Sequence, residues 1–360
     1  MKKHVLTLAA VSVMAANAAV ADVTVYGKAN VSLQSITVDE GNVTTQDNWE
    51  LLSNASRLGF KGSDELSEGL EAVYQLEYET ALDDGTVKSK STAAVVTDVD
   101  FVGETVTTKK VLTASDLTLK QRNSFVGVKG GFGTLIAGIH DSPTKMLGGS
   151  VDIFSDYEYA DIKNVVVGEN RVSNMIMYKS NDLSGFKINV MIAPGEDNGG
   201  DNAGDNEKDG IADHTSMSVN YSANGLSVGV AVDSDIAELD STRLVVAYDQ
   251  KDWGVSALYQ TAEENSDYLS AGDDAAEQTG MILTAFYKVG DWKLKALVGD
   301  STVEDDDAED LDISQAVIGA DYKLGKKTKA FVYHASVKTE QKGEDDIDES
   351  TFGIGLEHKF

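Results

Sequence analysis

The side chains that could do chemistry in this sequence are few and scattered. Beyond the first twenty-one residues the histidines are His140, His214, His334 and His358, and histidine is the ready general base near neutral pH. None stands in a hydrolase motif, and no candidate serine nucleophile is expected to be marked by a G-x-S-x-G turn. Cysteine is absent, so neither thiolate catalysis nor a disulfide framework is available. Oxygen ligands do gather, in Asp197-Asn198-Gly199-Gly200-Asp201-Asn202-Ala203-Gly204-Asp205-Asn206-Glu207. Glycines between carboxylates suit Ca²⁺ in a general way, but EF-hand spacing is missing and no parallel repeat continues the run. Weak, diffuse divalent binding by acids is the expectation there. No enzymatic activity, no cofactor and no formed metal site are expected.

Charge says more. Thirty basic residues against sixty acidic ones give a net of −30, which excludes nucleic-acid binding through phosphate contacts. A disordered acidic chain could carry such a charge, but 41% of the residues are hydrophobic and they alternate. Val23, Val25, Gly27, Ala29, Val31 and Leu33 share one parity, and Thr24, Tyr26, Lys28, Asn30, Ser32 and Gln34 share the other. Successive strand side chains change face, so this segment has one apolar and one polar side. Its length suits a tilted membrane strand better than a soluble one. The pattern recurs near 22–36, 50–62, 69–80, 118–129, 133–140, 171–180, 186–193, 214–223, 226–232, 242–249, 253–261, 281–289, 292–300, 314–323, 328–337 and 350–360. Sixteen strands is an even number, as single-chain bacterial barrels have. Four cations fall on the polar side: Lys28; Arg57, opposite in parity to Leu58 and Phe60; Arg122, opposite in parity to Phe125; and Arg171, which opens its strand. A charge facing lipid at the midplane would cost roughly 2–4 kcal/mol, so all four should point inward.

The connections alternate in length. Gly130-Gly131-Phe132, Ala223-Asn224-Gly225 and Gly290-Asp291 are hairpin-sized turns, whereas 37–49, 81–117, 141–170, 194–213, 233–241, 262–280, 301–313 and 338–349 read as long polar loops. Outer-membrane barrels place short turns on the periplasmic side and long loops outside. Most of the acids sit in those loops, where water solvates them. The first residues read as an export signal: Lys2 and Lys3, an apolar run from Val5 to about Val20, then Ala19-Val20-Ala21. The mature chain, 22–360, would start at Asp22 with a net of −32, since the lost segment holds two lysines and no acid. Phe352, Ile354, Leu356, His358 and Phe360 share a parity, so the last strand ends on an aromatic interfacial anchor. An all-β, sixteen-stranded antiparallel transmembrane barrel of the outer membrane follows.

The sequence resembles the Gram-negative general porins, the trimeric sixteen-stranded kind. The resemblance spans the mature chain. It is densest in Val25-Tyr26-Gly27-Lys28-Ala29-Asn30, in Ser56-Arg57-Leu58-Gly59-Phe60-Lys61-Gly62 and in the run from Arg122 to Gly133. It continues in Asp141-Ser142-Pro143-Thr144-Lys145 and Glu169-Asn170-Arg171-Val172-Ser173-Asn174-Met175. It implies a homotrimer in outer-membrane lipid and lipopolysaccharide, one pore per subunit, and passage of small hydrophilic solutes and ions. It also implies that the third loop, about 141–170, folds into the barrel and narrows it. Lys28, Arg57, Arg122 and Arg171 match the positions of the basic wall at that narrowing. Asp152 and Asp156 are the candidates for the acidic loop facing it, with Glu158 and Asp161 as rivals.

The sequence departs from that pattern in places. Ile139 stands where many relatives carry Arg, and Glu71 where they often carry Lys. Both changes make the interior less basic, and a modest cation preference is expected. The uncharged stretch Ser91 to Val96 in the second loop has no reading. A substrate-specific channel would need a track of interior aromatics for sugar stacking, and a structural or adhesion-type barrel would need a plugged interior. Neither is visible in the sequence.

Overall fold

The computed structural model describes residues 23–85, 119–196, 208–269, 275–305 and 309–360. The expected export signal, the acidic run 197–207 and most of the second loop lie outside them.

Sixteen antiparallel strands close on themselves. In chain order they are β1 (Thr24–Glu40), β2 (in two pieces, Val43–Ser53 and Arg57–Ser67), β3 (Leu70–Glu79), β4 (also in two, Lys120–Gln121 and Ser124–Gly130), β5 (Gly133–Asp141), β6 (Arg171–Lys179), β7 (Phe186–Ala193) and β8 (His214–Ala223). They continue as β9 (Leu226–Ile236), β10 (Leu239–Asp249), β11 (Trp253–Glu264), β12 (Glu277–Val289), β13 (Trp292–Glu304), β14 (Leu311–Lys323), β15 (Thr328–Gln341) and β16 (Ile347–Lys359). Each pairs with its neighbours in sequence, and β16 pairs with β1 from Lys28↔Lys359 to Glu40↔Ile347. The sheet therefore has no edge.

Alternation sets the two faces. Along β12 the burial switches residue by residue, with Met281, Leu283 and Tyr287 exposed on the outside. Val25, Leu33, Val230, Val298, Phe352, Ile354 and Leu356 are likewise exposed. An apolar outer face of this extent needs lipid, not water, as its solvent. Tyr248, Trp253, Tyr287 and Trp292 lie exposed beside the short turns, as an interfacial aromatic girdle does. Among the described residues no helix is long and apolar enough to cross a membrane; the strands cross it. In the turn between β8 and β9, Asn224 and Gly225 hold φ of 53° and 86°, the left-handed pair that a two-residue hairpin requires.

Two expectations need correction. Segments 37–49, 233–241 and 338–349 are largely strand: β1 runs to Glu40 and β2 resumes at Val43, β9 and β10 are separated only by Ala237 and Glu238, and β15 reaches Gln341. Their polar sequences hid this, because a ladder beyond the bilayer needs backbone pairing but no apolar face. Phe125 does not face lipid. It lies half-buried with its centroid 5.6 Å from that of His140, while Val126 is exposed. Gln75 pairs with Phe125 and Tyr78 with Gln121, so β4 contains one residue more than β3 across this stretch. That bulge at Arg122-Asn123 reverses parity, and Arg122 points inward despite Phe125 doing the same.

The interior is not lined by polar groups throughout. A helix α1 (Pro143–Gly148) and two short 3₁₀ turns (Glu158–Ala160 and Ile162–Asn164) lie between β5 and β6. From this segment Val151, Phe154, Tyr157, Ile162, Val165 and Val166 pack with Val245, Leu258, Ile282, Leu297, Val317, Phe331 and Tyr333 of the inner wall from β10 to β15. Glycines leave room for it. A Cβ at Gly229, Gly280 or Gly319 would come within 2.4 Å of Leu147, 2.6 Å of Val166 or 2.8 Å of Phe154 respectively.

If the outward parity is right, Val298→Arg is expected to destabilise the barrel by roughly 2–4 kcal/mol in denaturant titrations from lipid vesicles. A change below about 0.5 kcal/mol, the size of a neutral surface substitution, would contradict the lipid-facing assignment.

Candidate functional site

Asp156 is the residue around which charge converges. It follows Ser155 in the segment between the helix and the first 3₁₀ turn, with φ of 72°, a left-handed conformation uncommon for a side chain other than glycine. Lys28 of β1 donates its Nζ to Asp156 Oδ2, and Arg57 Nη2 reaches the same oxygen at 2.7 Å. Arg57 owes its position to a break in β2. Asn54, Ala55 and Ser56 leave the ladder there, and the Ser56 hydroxyl accepts from the Asn30 amide at 2.9 Å, repairing the lost pairing.

The other two cations find partners on the wall, not on the loop. Arg122 Nε lies 3.0 Å from Glu77 Oε1, and Nη1 lies 2.8 Å from Glu79 Oε2. Tyr26 donates to the second oxygen of Glu77 at 3.0 Å. Arg171 Nη2 meets Asp141 Oδ1 at 2.8 Å and its Nε donates to Asn123 at 2.8 Å. So the structure brings Lys28, Arg57 and Asp156 together and sets Arg122 and Arg171 in adjoining ion pairs. Glu77, Glu79 and Asp141 were missed by sequence reasoning. All three share the inward parity of Gln75 or the strand end beside Arg171, which was the available signal.

Asp152 is a different kind of acid. No ion pair with the wall cations joins it, and its Oδ1 is buried without a hydrogen-bond partner. Burial, then Asp161, Glu169 and Asp156, push its carboxyl well above the usual range. Asp156 behaves oppositely. Burial would raise it, but Lys28, Arg57 and Arg122 together outweigh burial and hold it at about 2. Burial also raises Glu169, against Arg243 and Lys145. For Lys163 burial acts downward, yet Asp161, Glu158, Asp156 and Asp152 leave the ammonium above its ordinary value.

These groups border a cavity of about 1060 Å³. Its lining includes ten carboxylates, among them Glu79, Asp152, Asp156 and Asp161, and six cations, among them Arg57, Arg122 and Arg171. With every group ionised the surplus is negative. Ile139 lines the same cavity. Glu71 does not, because it lies at the short-turn end of β3 paired with Lys129 at 3.5 Å.

Two buried groups fix the segment's ends. Arg243 of β10, fully buried, donates to Gln260 at 2.7 Å, Glu169 at 2.6 Å, the Thr144 carbonyl at 3.2 Å and the Val167 carbonyl at 2.8 Å. Thr144 in turn donates to the buried Asp233 at 2.5 Å. Ser227 stands in a G-x-S-x-G spelling, Gly225 to Gly229, but it lies on β9 and donates to Asn220. Among the described residues no cluster of three metal-ligating side chains occurs.

Comparison with known proteins places this architecture. A family model described as Gram-negative porin matches residues 7–359. The chain is similar to the major outer membrane protein P.IB of Neisseria gonorrhoeae, 29% identical over 385 residues covering all of both chains. It is similar to the P.IB of Neisseria lactamica at 29% over 377 residues, again across both chains. Among solved structures it resembles the anion-selective porin from Comamonas acidovorans, with a TM-score of 0.65, 18% identity and coverage of 94% of this chain and 100% of that one. It also resembles the trimer form of in-vitro folded OmpT from Vibrio cholerae, with a TM-score of 0.64, 16% identity and coverage of 94% and 99%.

The depressed Asp156 carboxyl has a measurable consequence. Its folded value is about 2 against an ordinary 3.8, so its ionised form contributes stability that is complete above about pH 4 and is lost as pH falls to about 2. Asp156→Asn is expected to lower resistance to denaturant at neutral pH, with the gap to the parent closing between pH 4 and 2. A gap unchanged at pH 2 would contradict the pairing.

Proposed function

The chain belongs to the Gram-negative porin family, whose members are non-enzymatic outer-membrane channels for small solutes, and from that premise we propose that its channel is a general diffusion pore with a modest preference for cations. The segment 142–170 is read as the element that narrows the lumen. Lys28, Arg57, Arg122 and Arg171 form the basic wall of that narrowing, and Asp156 and Asp152 form its acidic side. Residues 1–21 are read as leaving on export, so that 22–360 is the working chain.

The observation that carries the cation preference is the cavity lining, ten carboxylates against six cations. The four wall cations are each held by a carboxylate, so their field on a passing ion is largely cancelled at short range. What remains is the net surplus of acid in the lining, together with loop acids near the mouth. At about 0.15 M salt the screening length is about 8 Å, so near acids raise local cation concentration and distant loop tips count for little. Glu71, paired at the opposite end, adds nothing to this balance.

Liposome swelling with solutes of graded size tests general diffusion against a substrate-specific channel, and a sharp preference for one solute at equal size would remove it. Reversal potentials in planar bilayers under a salt gradient test the selectivity. The parent is expected to prefer cations, less so as salt rises; Arg57→Ser should strengthen the preference and widen the passage, and Asp156→Asn, which removes the ionised carboxylate, should weaken it. An anion preference at low and high salt alike would mean that the wall dominates. The trimer form of the Vibrio cholerae neighbour supports a homotrimer here. Native electrophoresis of an unheated mild-detergent extract is expected to show one, and a monomer under those conditions would rule it out.

A further inference from the structure

Asp156 has no strand beneath it, yet it holds a fixed place across the opening from β1 and β2. What holds it lies on the opposite wall. The ring of Tyr157 lies over those of Phe331 and Tyr333, with centroids 4.6 Å and 4.9 Å away and planes within 19° and 16°. Phe154, fully buried, fits against Gly319, where a Cβ would stand 2.8 Å from its ring. Between the two rings sits Lys295 of β13, its side chain 2% exposed. Its ammonium is 4.3 Å from the Phe154 centroid and 5.3 Å from that of Tyr157, donates to the Ile153 carbonyl at 3.2 Å and pairs with Asp321 at 3.1 Å. Lys329 of β15 shares Asp321 at 3.0 Å and donates to the Tyr157 hydroxyl at 3.4 Å.

An ammonium so thoroughly removed from water is costly unless its hydration is replaced. One carboxylate shared with Lys329 cannot do that alone. The two ring faces and the carbonyl complete the replacement, and all three belong to the segment 153–157. Docking of that segment and burial of Lys295 are therefore one event, and Asp156 lies between its two anchors.

We propose that Phe154, Tyr157 and Lys295 are positioning residues for selectivity: seated on β13 to β15, they fix Asp156 against Lys28 and Arg57. This rests on the reading of 142–170 as the narrowing element. It goes beyond it by assigning the placement of the key carboxylate to a seat that no permeating ion touches.

Reversal potentials of the full chain in planar bilayers test it, with Asp156→Asn as the reference. Asp156→Asn is expected to lower the cation-to-anion permeability ratio about two-fold, the order expected for one screened charge at a narrow point. Tyr157→Ser should lower it as far, and the double variant no further than Asp156→Asn alone. Tyr157→Phe, which retains the stack, should keep the parent ratio. Should Tyr157→Ser fail to assemble, Lys295→Met carries the same expectation. A parent-like ratio in Tyr157→Ser or Lys295→Met, with Asp156→Asn shifted, overturns the positioning role and leaves the narrowing in place. Equal loss in Tyr157→Phe and Tyr157→Ser overturns the stack as the device. No shift in Asp156→Asn itself overturns both readings.

Discussion

In hydrocarbon no water is at hand to satisfy a backbone N–H or C=O, and each unpaired group costs several kcal/mol. A chain with no spanning helix then has one solution, a sheet without an edge. Here β16 closes on β1, and the last residue joins in: the Phe360 amide donates to Gly27 O at 3.1 Å and the Gly27 amide to Phe360 O at 3.3 Å. Gly27 fits there because a Cβ would come 2.6 Å from the Arg57 carbonyl oxygen, and 2.3 Å from the Phe360 ring. Even the irregular places respect the constraint. The Ser56 hydroxyl stands in for a ladder partner where β2 breaks. Closure also fixes register, and register fixes which parity faces lipid. Whether a given cation lines the interior or faces the bilayer follows from that.

Sixteen strands enclose more space than their own side chains can fill. The inner wall from β10 to β15 is apolar, with Val245, Leu258, Ile282, Leu297 and Val317 all buried, and bare it would expose a hydrophobic strip to water. The segment between β5 and β6 covers it. Burial of Val151, Phe154, Ile162, Val165 and Val166 supplies most of the attraction at roughly 25 cal/mol per Å². Polar anchors decide the position instead. Arg243 satisfies three acceptors at the segment's ends and Gln260 on β11, and an unpaired guanidinium in that setting would be costly enough to forbid other placements. The hydrophobic term thus makes the segment dock and the buried charges make it dock in one way.

Much of this was legible in the sequence because a period of two is a local signal. The sixteen strands, the hairpin turns and the inward aim of Lys28 and Arg57 need no knowledge of distant residues. The bulge at Arg122-Asn123 was less so: it shows only as a parity conflict, since Arg122 shares the parity of the apolar Val126 and Val128, and only the pairing with β3 says which side slips. The partner of Lys28 was least legible, since Asp156 lies 128 residues away as one of four candidate acids of one loop. A trace of the seat was present. On β12 and β13 alternation fails, as Met281-Ile282-Leu283 and Leu297-Val298 run apolar on both faces. An inward face that is apolar in a water-filled barrel is a face that something covers. The inward glycines Gly280, Gly299 and Gly319 mark where the covering element comes close.

A net charge of −30 suggests a field dominated by acid, yet the opening is governed by pairs. Coulomb attraction at 3 Å in a partly buried site is several times stronger than anything a loop tip can exert across a screening length. Glu77, Glu79 and Asp141 hold Arg122 and Arg171 from the same rigid sheet, so those pairs stay together at any position of the loop. Asp156 is the exception, a carboxylate on the segment between β5 and β6, balancing cations on the wall it faces. Asp156 is the partner of Lys28, whereas Arg57 also has Glu77 of the wall at 3.8 Å, so on the proposed reading a withdrawal of the segment would strip the counter-charge from Lys28 and leave Arg57 with Glu77 alone. On that same reading, width and selectivity would be coupled through that one carboxylate, and a wider state of the pore would also be a more anion-tolerant one.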